Sequence, residues 1–105
     1  MAQYSTYKNT NPSSKNIYPY LLDVQSPFLE SLDTRLVIPL SLKSKFKDKV
    51  IKNLTPVLSI LKTEYILLTP QMAAIHKNHL GTFVEDCSAS RSLILSSIDF
   101  LITGF

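Results

Sequence analysis

The C-terminal segment 90–105 has the periodicity of an α-helix, but apolar side chains occupy more than one side of that helix. One predicted face consists of four residues at helical spacing, Ile94, Ile98, Leu101 and Phe105. Four further apolar residues fall off this face, namely Leu93, Leu95, Phe100 and Ile102. A chain of 105 residues has one small core and can hardly cover such a helix on every side. The pattern therefore predicts a homodimer, or a partner whose groove receives the helix.

The chain before Glu85 predicts short strands at close spacing, and therefore a mainly β body. Aromatic and apolar runs at 3–8 and 17–24 flank the polar loop 9–16, which is typical of a long hairpin. Residues 35–40 predict a short buried strand ended by Pro39. Residues 55–61 and 64–69 predict a second hairpin around a Lys62-Thr63 turn, and 71–75 one more short strand. Asp86, Ser88 or Ser90 is expected to cap the C-terminal helix.

Composition restricts the class of protein. The chain is 45% apolar and 18% charged, which favours one folded domain over residues 1–105. No apolar run approaches the ~20 residues that span a bilayer, and the polar N-terminus lacks the pattern of a signal peptide. The lone Cys87 excludes an internal disulfide. We therefore expect a cytoplasmic protein with no membrane partner.

Positive charge is concentrated in one stretch, although the net charge is only +3. The basic patch consists of Lys43, Lys45, Lys47, Lys49 and Lys52. Such a patch either contacts phosphates or forms a solvated surface that keeps the chain soluble. Because neither arginine nor an exposed aromatic residue accompanies the lysines, the patch alone predicts no nucleic-acid binding.

The residues that could carry chemistry do not form a recognisable constellation. His76 and His79 have the spacing of two metal ligands on a helical turn, but the segment supplies no third ligand. Cys87 has no paired histidine nearby in the sequence. Asp23, Glu85, Asp86, Arg35 and Arg91 are available for acid–base work, and also for capping and surface ion pairs. The sequence therefore predicts no catalytic residue, no cofactor site and no metal site.

Several blocks of the chain resemble the CcdB family in the same order, together with a similar length and the starting Gln3-Tyr4. The blocks are Asp23-Val24-Gln25-Ser26, residues 35–40, Leu54-Thr55-Pro56-Val57, Leu80-Gly81, and a final helix that ends in Gly104 plus one apolar residue. CcdB is the toxin of a toxin–antitoxin pair that poisons DNA gyrase. The resemblance implies an SH3-like β-barrel with a small additional sheet and a long C-terminal α-helix, assembled as a homodimer.

The resemblance also implies a mode of action and a binding surface. In the family, the toxin dimer inserts into the dimer of gyrase A subunits and traps the cleaved-DNA complex without catalysis or direct nucleic-acid binding. A disordered C-terminal segment of the antitoxin CcdA wraps the toxin and removes it, by folding on binding. The positions that correspond to the gyrase-binding surface are Gln3, Tyr4, Tyr7, Ser26, Phe28, Asp99, Thr103, Gly104 and Phe105.

The chain departs from the family pattern at some of these positions. Thr103 stands where the well-studied toxin has a tryptophan that stacks on arginines of its target, and threonine has no π-face. Stacking of this kind contributes roughly 1–3 kcal/mol. Phe105 stands where the family usually has isoleucine, and Phe28 and Asp99 are not the residues best known at their positions. Two alternatives follow: a non-toxic or attenuated relative that only binds antitoxin, and an endoribonuclease of the related MazF type that uses Asp23, Arg35 and the basic patch.

Overall fold

The computed structural model describes residues 2–46 and 50–104. Within them the chain forms seven strands: β1 (Ser5–Asn9), β2 (Tyr20–Asp23), β3 (Thr34–Leu42), β4 (Val57–Ile60), β5 (Thr63–Leu67), β6 (Ala73–His76) and β7 (Leu80–Asp86). They form one antiparallel sheet in the order β4-β5-β3-β2-β1-β7, with β6 paired to β3 outside this path. The helices are α1 (Lys43–Phe46) and α2 (Arg91–Thr103), and short 3₁₀ turns connect several strands.

The first hairpin follows the sequence prediction closely. β1 and β2 pair antiparallel with Thr6 opposite Leu22, and the polar loop lies between them. Asn9 organises the start of this loop, because its Nδ2 donates to Tyr18 O at 2.9 Å and its Oδ1 accepts from Asn11 N–H at 3.0 Å. Pro19 precedes β2, as expected for a residue with no N–H to donate to a ladder.

The prediction that Pro39 ends the third strand is wrong, since β3 continues to Leu42. β3 is the centre of the sheet, with β2 along one edge; along the other edge its first half pairs with β6 and its last three residues with β5. Pro39 lies between the β6 and β5 pairings, where its carbonyl accepts from Leu68 N–H at 2.9 Å. The Pro39 nitrogen, which carries no hydrogen, faces the gap between β6 and β5, so no ladder hydrogen bond is lost.

The second hairpin turns one residue earlier than the sequence predicts. Ile60 pairs with Thr63, so the turn residues are Leu61 and Lys62 and not Lys62 and Thr63. Both have positive φ, 51° and 67°, which is the signature of a type I′ turn. The N–H of Leu61 lies 3.4 Å from Oε1 of Glu85 in β7. The sheet is therefore curled, because this contact brings together strands from its two opposite ends.

The curled sheet has a core on each face. The main core contains Leu22, Ile38, Leu40, Ile60, Leu67 and Ile94, each with no exposed side-chain surface, together with Cys87 and Tyr4 at 7% exposure. The second core lies on the opposite face, because side chains alternate along each strand; it consists of Tyr7, Leu21, Val37 and Leu80, with Ile75 packed against it. Face alternation thus divides adjacent residues of β2 and β3 between two cores.

Helix α2 covers the main core with part of one face only. Ile94 is fully buried and Ser97 is 1% exposed, while Ile98 packs against the main core. Leu101 was predicted to belong to the buried face, but it is 39% exposed. It lies in the last turn of α2, where residues 101–104 are all exposed because the helix extends past the core. The predicted apolar excess is confirmed: Leu93, Leu95 and Ile102 are all substantially exposed. Phe105 lies outside the described residues.

Candidate partner-binding surface

The N-terminal segment is fixed against the end of β2 by backbone contacts. Tyr4 adopts a left-handed conformation with φ of 65°, and its N–H donates to Asp23 O at 2.6 Å. Gln3 Nε2 donates to Val24 O at 3.2 Å. A tyrosine at positive φ is disfavoured, so these contacts and the burial of Tyr4 hold the bend. Gln3 and Tyr4 are thereby placed beside the Asp23–Ser26 block.

A buried ion pair holds this block in place. Arg35 donates to Asp23 Oδ2 through Nε at 3.0 Å and through Nη2 at 2.6 Å, and the two side chains are 2% and 0% exposed. Asp23 Oδ1 accepts from the N–H of Gln25 at 3.0 Å. Gln25 in turn accepts from Leu36 N–H and donates to Leu29 O. Among the described residues, no buried side-chain N or O atom lacks a hydrogen-bond partner, as buried polar groups require.

The network ends in a short turn that projects an aromatic side chain. Ser26 caps the 3₁₀ turn Pro27–Leu29, because its Oγ accepts from Phe28 N–H at 3.2 Å and Pro27 supplies a preset φ. Phe28 is 93% exposed, and Leu29 and Leu32 are nearly half exposed. Ser26 and Phe28 thus lie on a surface of the kind that binds another protein.

Two of the expected contact residues are almost entirely internal. Tyr4 belongs to the main core and Tyr7 to the second core, each at 7% exposure. The hydroxyl of Tyr7 accepts from Ala2 N–H at 2.7 Å, and its ring meets Phe83 edge-on at 6.0 Å. Direct contact with a partner is limited to the small exposed part of each ring, so their principal role in this chain is to fix the N-terminal segment.

The C-terminal end of α2 forms a second exposed group. Gly104 ends the helix in the left-handed conformation, with φ of 78° and its N–H bonded to Phe100 O at 2.9 Å. Only glycine adopts this φ without steric cost. Thr103 donates from Oγ1 to Asp99 O at 2.7 Å, and both residues are exposed. Beside them Ile102 is 71% exposed.

The fold unites the expected site residues only in part. Gln3, Tyr4, Ser26 and Phe28 surround the Asp23 network, whereas Asp99, Thr103 and Gly104 lie at the end of α2. Within residues 2–46 and 50–104, no hydrogen bond or ion pair joins the two groups. The sequence analysis did not identify Gln25 as a residue that positions the Pro27–Leu29 turn. A polar residue between two apolar strands does, however, indicate a buried hydrogen-bond network.

The other sequence-predicted groups are separate from these surfaces. His76 accepts the N–H of Asn78 through Nδ1, and His76 and His79 are exposed. Among the described residues, no three His, Cys, Asp or Glu side chains are grouped so that they could hold a metal. Burial, with smaller contributions from Glu85 and Asp86, raises the pKa of Cys87 to about 11. At neutral pH this cysteine is therefore a protonated core residue.

The basic patch is only partly visible, since Lys47 and Lys49 lie outside the described residues. Lys45 and Lys52 are exposed, and Lys43 forms a surface ion pair with Glu64 at 3.5 Å. An exposed pair of this kind adds little stability. None of the described helices is long and apolar enough to cross a membrane.

A curled antiparallel sheet that forms a half-barrel, together with a C-terminal helix, is consistent with the fold that the resemblance implies. The family model of the CcdB protein matches residues 3–104, nearly the whole chain. The chain therefore belongs to the CcdB family, and is a toxin of the toxin–antitoxin type. Of the parts that carried the resemblance, the Asp23–Ser26 block is buried up to Gln25 and supports the exposed turn with Phe28, whereas Gly104 is itself exposed.

Proposed function

We propose that this toxin binds the A subunit of DNA gyrase through the C-terminal end of α2 and traps the gyrase–DNA cleavage complex. The observation that carries the proposal is the exposure of Asp99, Thr103 and Gly104 at a helix end that extends past the core. A helix end with an exposed Ile102 has the apolar character of an interface anchor. The action is inhibition by binding, and the toxin itself catalyses no reaction.

The same helix supports assembly as a homodimer. Leu93 and Leu95 are 47% and 38% exposed on a helix whose other face is already packed. A second copy of the chain would remove this apolar surface from water, at about 25 cal/mol per Å². Leu93→Lys is expected to shift the protein from dimer to monomer in sedimentation velocity. Ile17→Lys, at a 52% exposed apolar position in the β1–β2 loop, is the matched control and should leave the dimer intact.

Neutralisation is proposed to come from a CcdA-like antitoxin whose disordered C-terminal segment folds on the toxin. A segment of this kind wraps a large surface, because it has no fixed shape of its own to match. Adding the cognate antitoxin to a preformed toxin–gyrase–DNA complex should therefore abolish the cleavage signal.

Thr103 determines how strong the gyrase contact is. Its hydroxyl is bonded back to Asp99 O, so the side chain offers only a methyl group where a tryptophan would offer a stacking face. Loss of a central anchor reduces affinity by roughly tenfold to a few hundredfold. If gyrase action has lapsed altogether, the chain is the attenuated relative that only binds antitoxin.

A gyrase cleavage assay tests the proposal. Purified toxin, gyrase, ATP and supercoiled plasmid are expected to give linear DNA after detergent and protease, and deletion of Gly104 and Phe105 should abolish it. Thr103→Trp should increase the linear product. Ser96→Trp, at another exposed position of α2, is the control and should not. Absence of linear DNA with both the natural protein and Thr103→Trp would refute gyrase poisoning.

The ribonuclease alternative is disfavoured by the buried ion pair. Asp23 and Arg35, the residues it would need, are 0% and 2% exposed and are bonded to each other. Neither can reach an RNA phosphate without breaking the pair. Labelled RNA incubated with excess toxin is expected to remain intact.

A further inference from the structure

The segment 27–32, which we call the Phe28 turn, has no core of its own. All of its residues are exposed, and its 3₁₀ part, Pro27–Leu29, contains no buried side chain. Phe28 is the extreme case, at 93% exposure. A segment with so few buried apolar contacts opens locally at low cost in free energy. Packing therefore does not determine where the Phe28 turn lies, and its position depends on hydrogen bonds.

Gln25 connects the Phe28 turn to the interior of the sheet. Its side chain is 7% exposed, and its Nε2 donates to Leu29 O at 3.0 Å. On the other side, its Oε1 accepts from the N–H of Leu36 in β3 at 2.9 Å. One amide group thus joins the central strand to the turn. Among the residues that the structure describes, no other buried side chain is hydrogen-bonded to the Phe28 turn.

The remaining hydrogen bonds of the turn are local. Leu29 N–H donates to Ser26 O at 3.0 Å, and Leu32 N–H donates to Leu29 O at 3.2 Å. The N–H of Phe28 donates to Ser26 Oγ at 3.2 Å. These bonds give the turn its shape, whereas the Gln25 bond fixes the place of the turn relative to β3. Without the Gln25 amide, the turn keeps its local bonds and loses its fixed place.

The backbone of Gln25 is itself fixed, so the link is a rigid one. The N–H of Gln25 donates to Asp23 Oδ1 at 3.0 Å, and the other oxygen of Asp23 is paired with Arg35. The long side chain of a glutamine is ordered here by folding, before any partner binds. A partner that contacts Phe28 therefore meets a preorganised surface, which lowers the entropic cost of association.

We propose that Gln25 is a positioning residue for gyrase binding: it holds the Phe28 turn in the place from which Phe28 contacts the A subunit. Gln25 is buried and acts through the turn, without touching the partner. The inference rests on the proposed function and on the resemblance, which implies that Ser26 and Phe28 are gyrase-binding positions. If the turn occupies its place in only about a tenth of the molecules, the apparent affinity falls about tenfold.

The first test compares the binding of the full-length toxin and of Gln25→Met to the purified gyrase A subunit by surface plasmon resonance. We expect Gln25→Met to bind about tenfold more weakly, mostly through slower association, because only molecules with the turn in place can bind. Gln71→Met is the matched control, since it makes the same change at an exposed glutamine at the end of the 3₁₀ turn Thr69–Gln71. It should bind as the natural toxin does.

A double-mutant cycle with Phe28→Ala distinguishes positioning of the turn from a general loss of stability. If Gln25 acts through Phe28, adding Gln25→Met to Phe28→Ala should change the affinity by less than about twofold. A merely structural role would make the two losses multiply. Multiplied losses, or a natural affinity for Gln25→Met alone, would overturn the proposal.

The ¹⁵N relaxation of the free toxin provides a readout that needs no gyrase. In Gln25→Met the order parameters of the Phe28 and Leu29 amides should fall from about 0.85 to below about 0.6, while that of Ile38 in β3 stays high. Unchanged order parameters would contradict the role of Gln25.

A second variant covers the case in which Gln25→Met does not fold. Gln25→Asn stays neutral and polar, but its shorter side chain cannot reach Leu36 N–H and Leu29 O together, so the same losses of affinity and order are expected. A natural toxin that does not bind gyrase would refute the proposed function. A natural toxin that binds gyrase no better than the Gln25 variants would refute only the inference about Gln25.

Discussion

The guanidinium of Arg35 lies 2.6 Å from Oδ2 of Asp23, and water reaches almost no part of either side chain. Because Asp23 ends β2 and Arg35 lies near the start of β3, the pair joins these two strands at the end where the 24–33 loop connects them. The other carboxylate oxygen of Asp23, Oδ1, accepts a hydrogen bond from Gln25 N–H, and the Gln25 side chain donates to Leu29 O. The exposed turn with Phe28 is thus tied to the interior of the sheet.

Removing one partner of this pair should be costly. Arg35→Met leaves a buried carboxylate without its cation, and is expected to reduce the free energy of unfolding by about 3–5 kcal/mol. The double variant Asp23→Leu/Arg35→Met buries no charge and should be more stable than Arg35→Met alone. Urea denaturation measures both, and equal stability of Arg35→Met and the natural protein would contradict this role.

The buried hydroxyls of Thr69 and Ser97 are hydrogen-bonded to each other, and removing one should destabilise the fold more than removing the other. Ser97 Oγ donates to Ile94 O at 2.7 Å, so Thr69 is the donor in the 3.0 Å bond between the two hydroxyls. Ser97→Ala removes the acceptor of the buried Thr69 and should cost about 1–3 kcal/mol. Thr69→Val leaves Ser97 bonded to Ile94 and should cost less. Ser96→Ala, on the exposed side of α2, serves as the control in thermal unfolding.

The β4–β5 turn offers a stabilising substitution. Leu61 and Lys62 both hold positive φ, at a cost of about 1–2 kcal/mol per residue for an L-amino acid. Leu61→Asn/Lys62→Gly supplies the residues that a type I′ turn prefers and should raise the free energy of unfolding by about 1 kcal/mol or more. Lys62→Ala keeps the strain and should bring no comparable gain. A lower melting temperature for the Asn-Gly variant would show that the turn is not under strain.

Ionisation of Cys87 should make the fold sensitive to alkali. Burial raises the pKa of this thiol from 9.0 to about 11, so between those pH values the unfolded chain loses the proton more readily than the native state. The native state therefore loses stability as the pH rises from about 9 to about 11. Cys87→Ala lacks this contribution, and its urea midpoint should fall less over that interval. Parallel pH dependences of the two proteins would exclude the effect.

Patterns that depend on neighbouring residues were predictable from the sequence. The aromatic runs around the polar loop predicted the β1–β2 hairpin, and the helical spacing around Ile94 predicted α2. The apolar residues off that face predicted the exposure of Leu93 and Ile102, since no other part of a small chain is available to cover them. These signals are local, so they need no knowledge of the topology.

Features that depend on the topology were not predictable. Pro39 predicts the end of a strand from the sequence alone. β3 continues through it because Pro39 lies between the segments of β3 that pair with β6 and with β5. Asp23 and Arg35 look like surface charges until their strands pair. Tyr4 and Tyr7 are both buried, in opposite cores, because the folded sheet has a core on each of its faces. In each case the decisive contact is between residues distant in the sequence.

The pairing of β1 with β7 sets the order in which this molecule can be completed during its synthesis. Ser5 lies opposite Asp86, so β1 gains this neighbour only after the much later strand β7 has been made. Until then the nascent chain carries an unpaired strand edge, and α2, which follows β7, has yet to be made. A polypeptide interrupted before residue 80 therefore lacks both the closing strand and the helix, so β1 and the main core remain incomplete until β7 and α2 have been made.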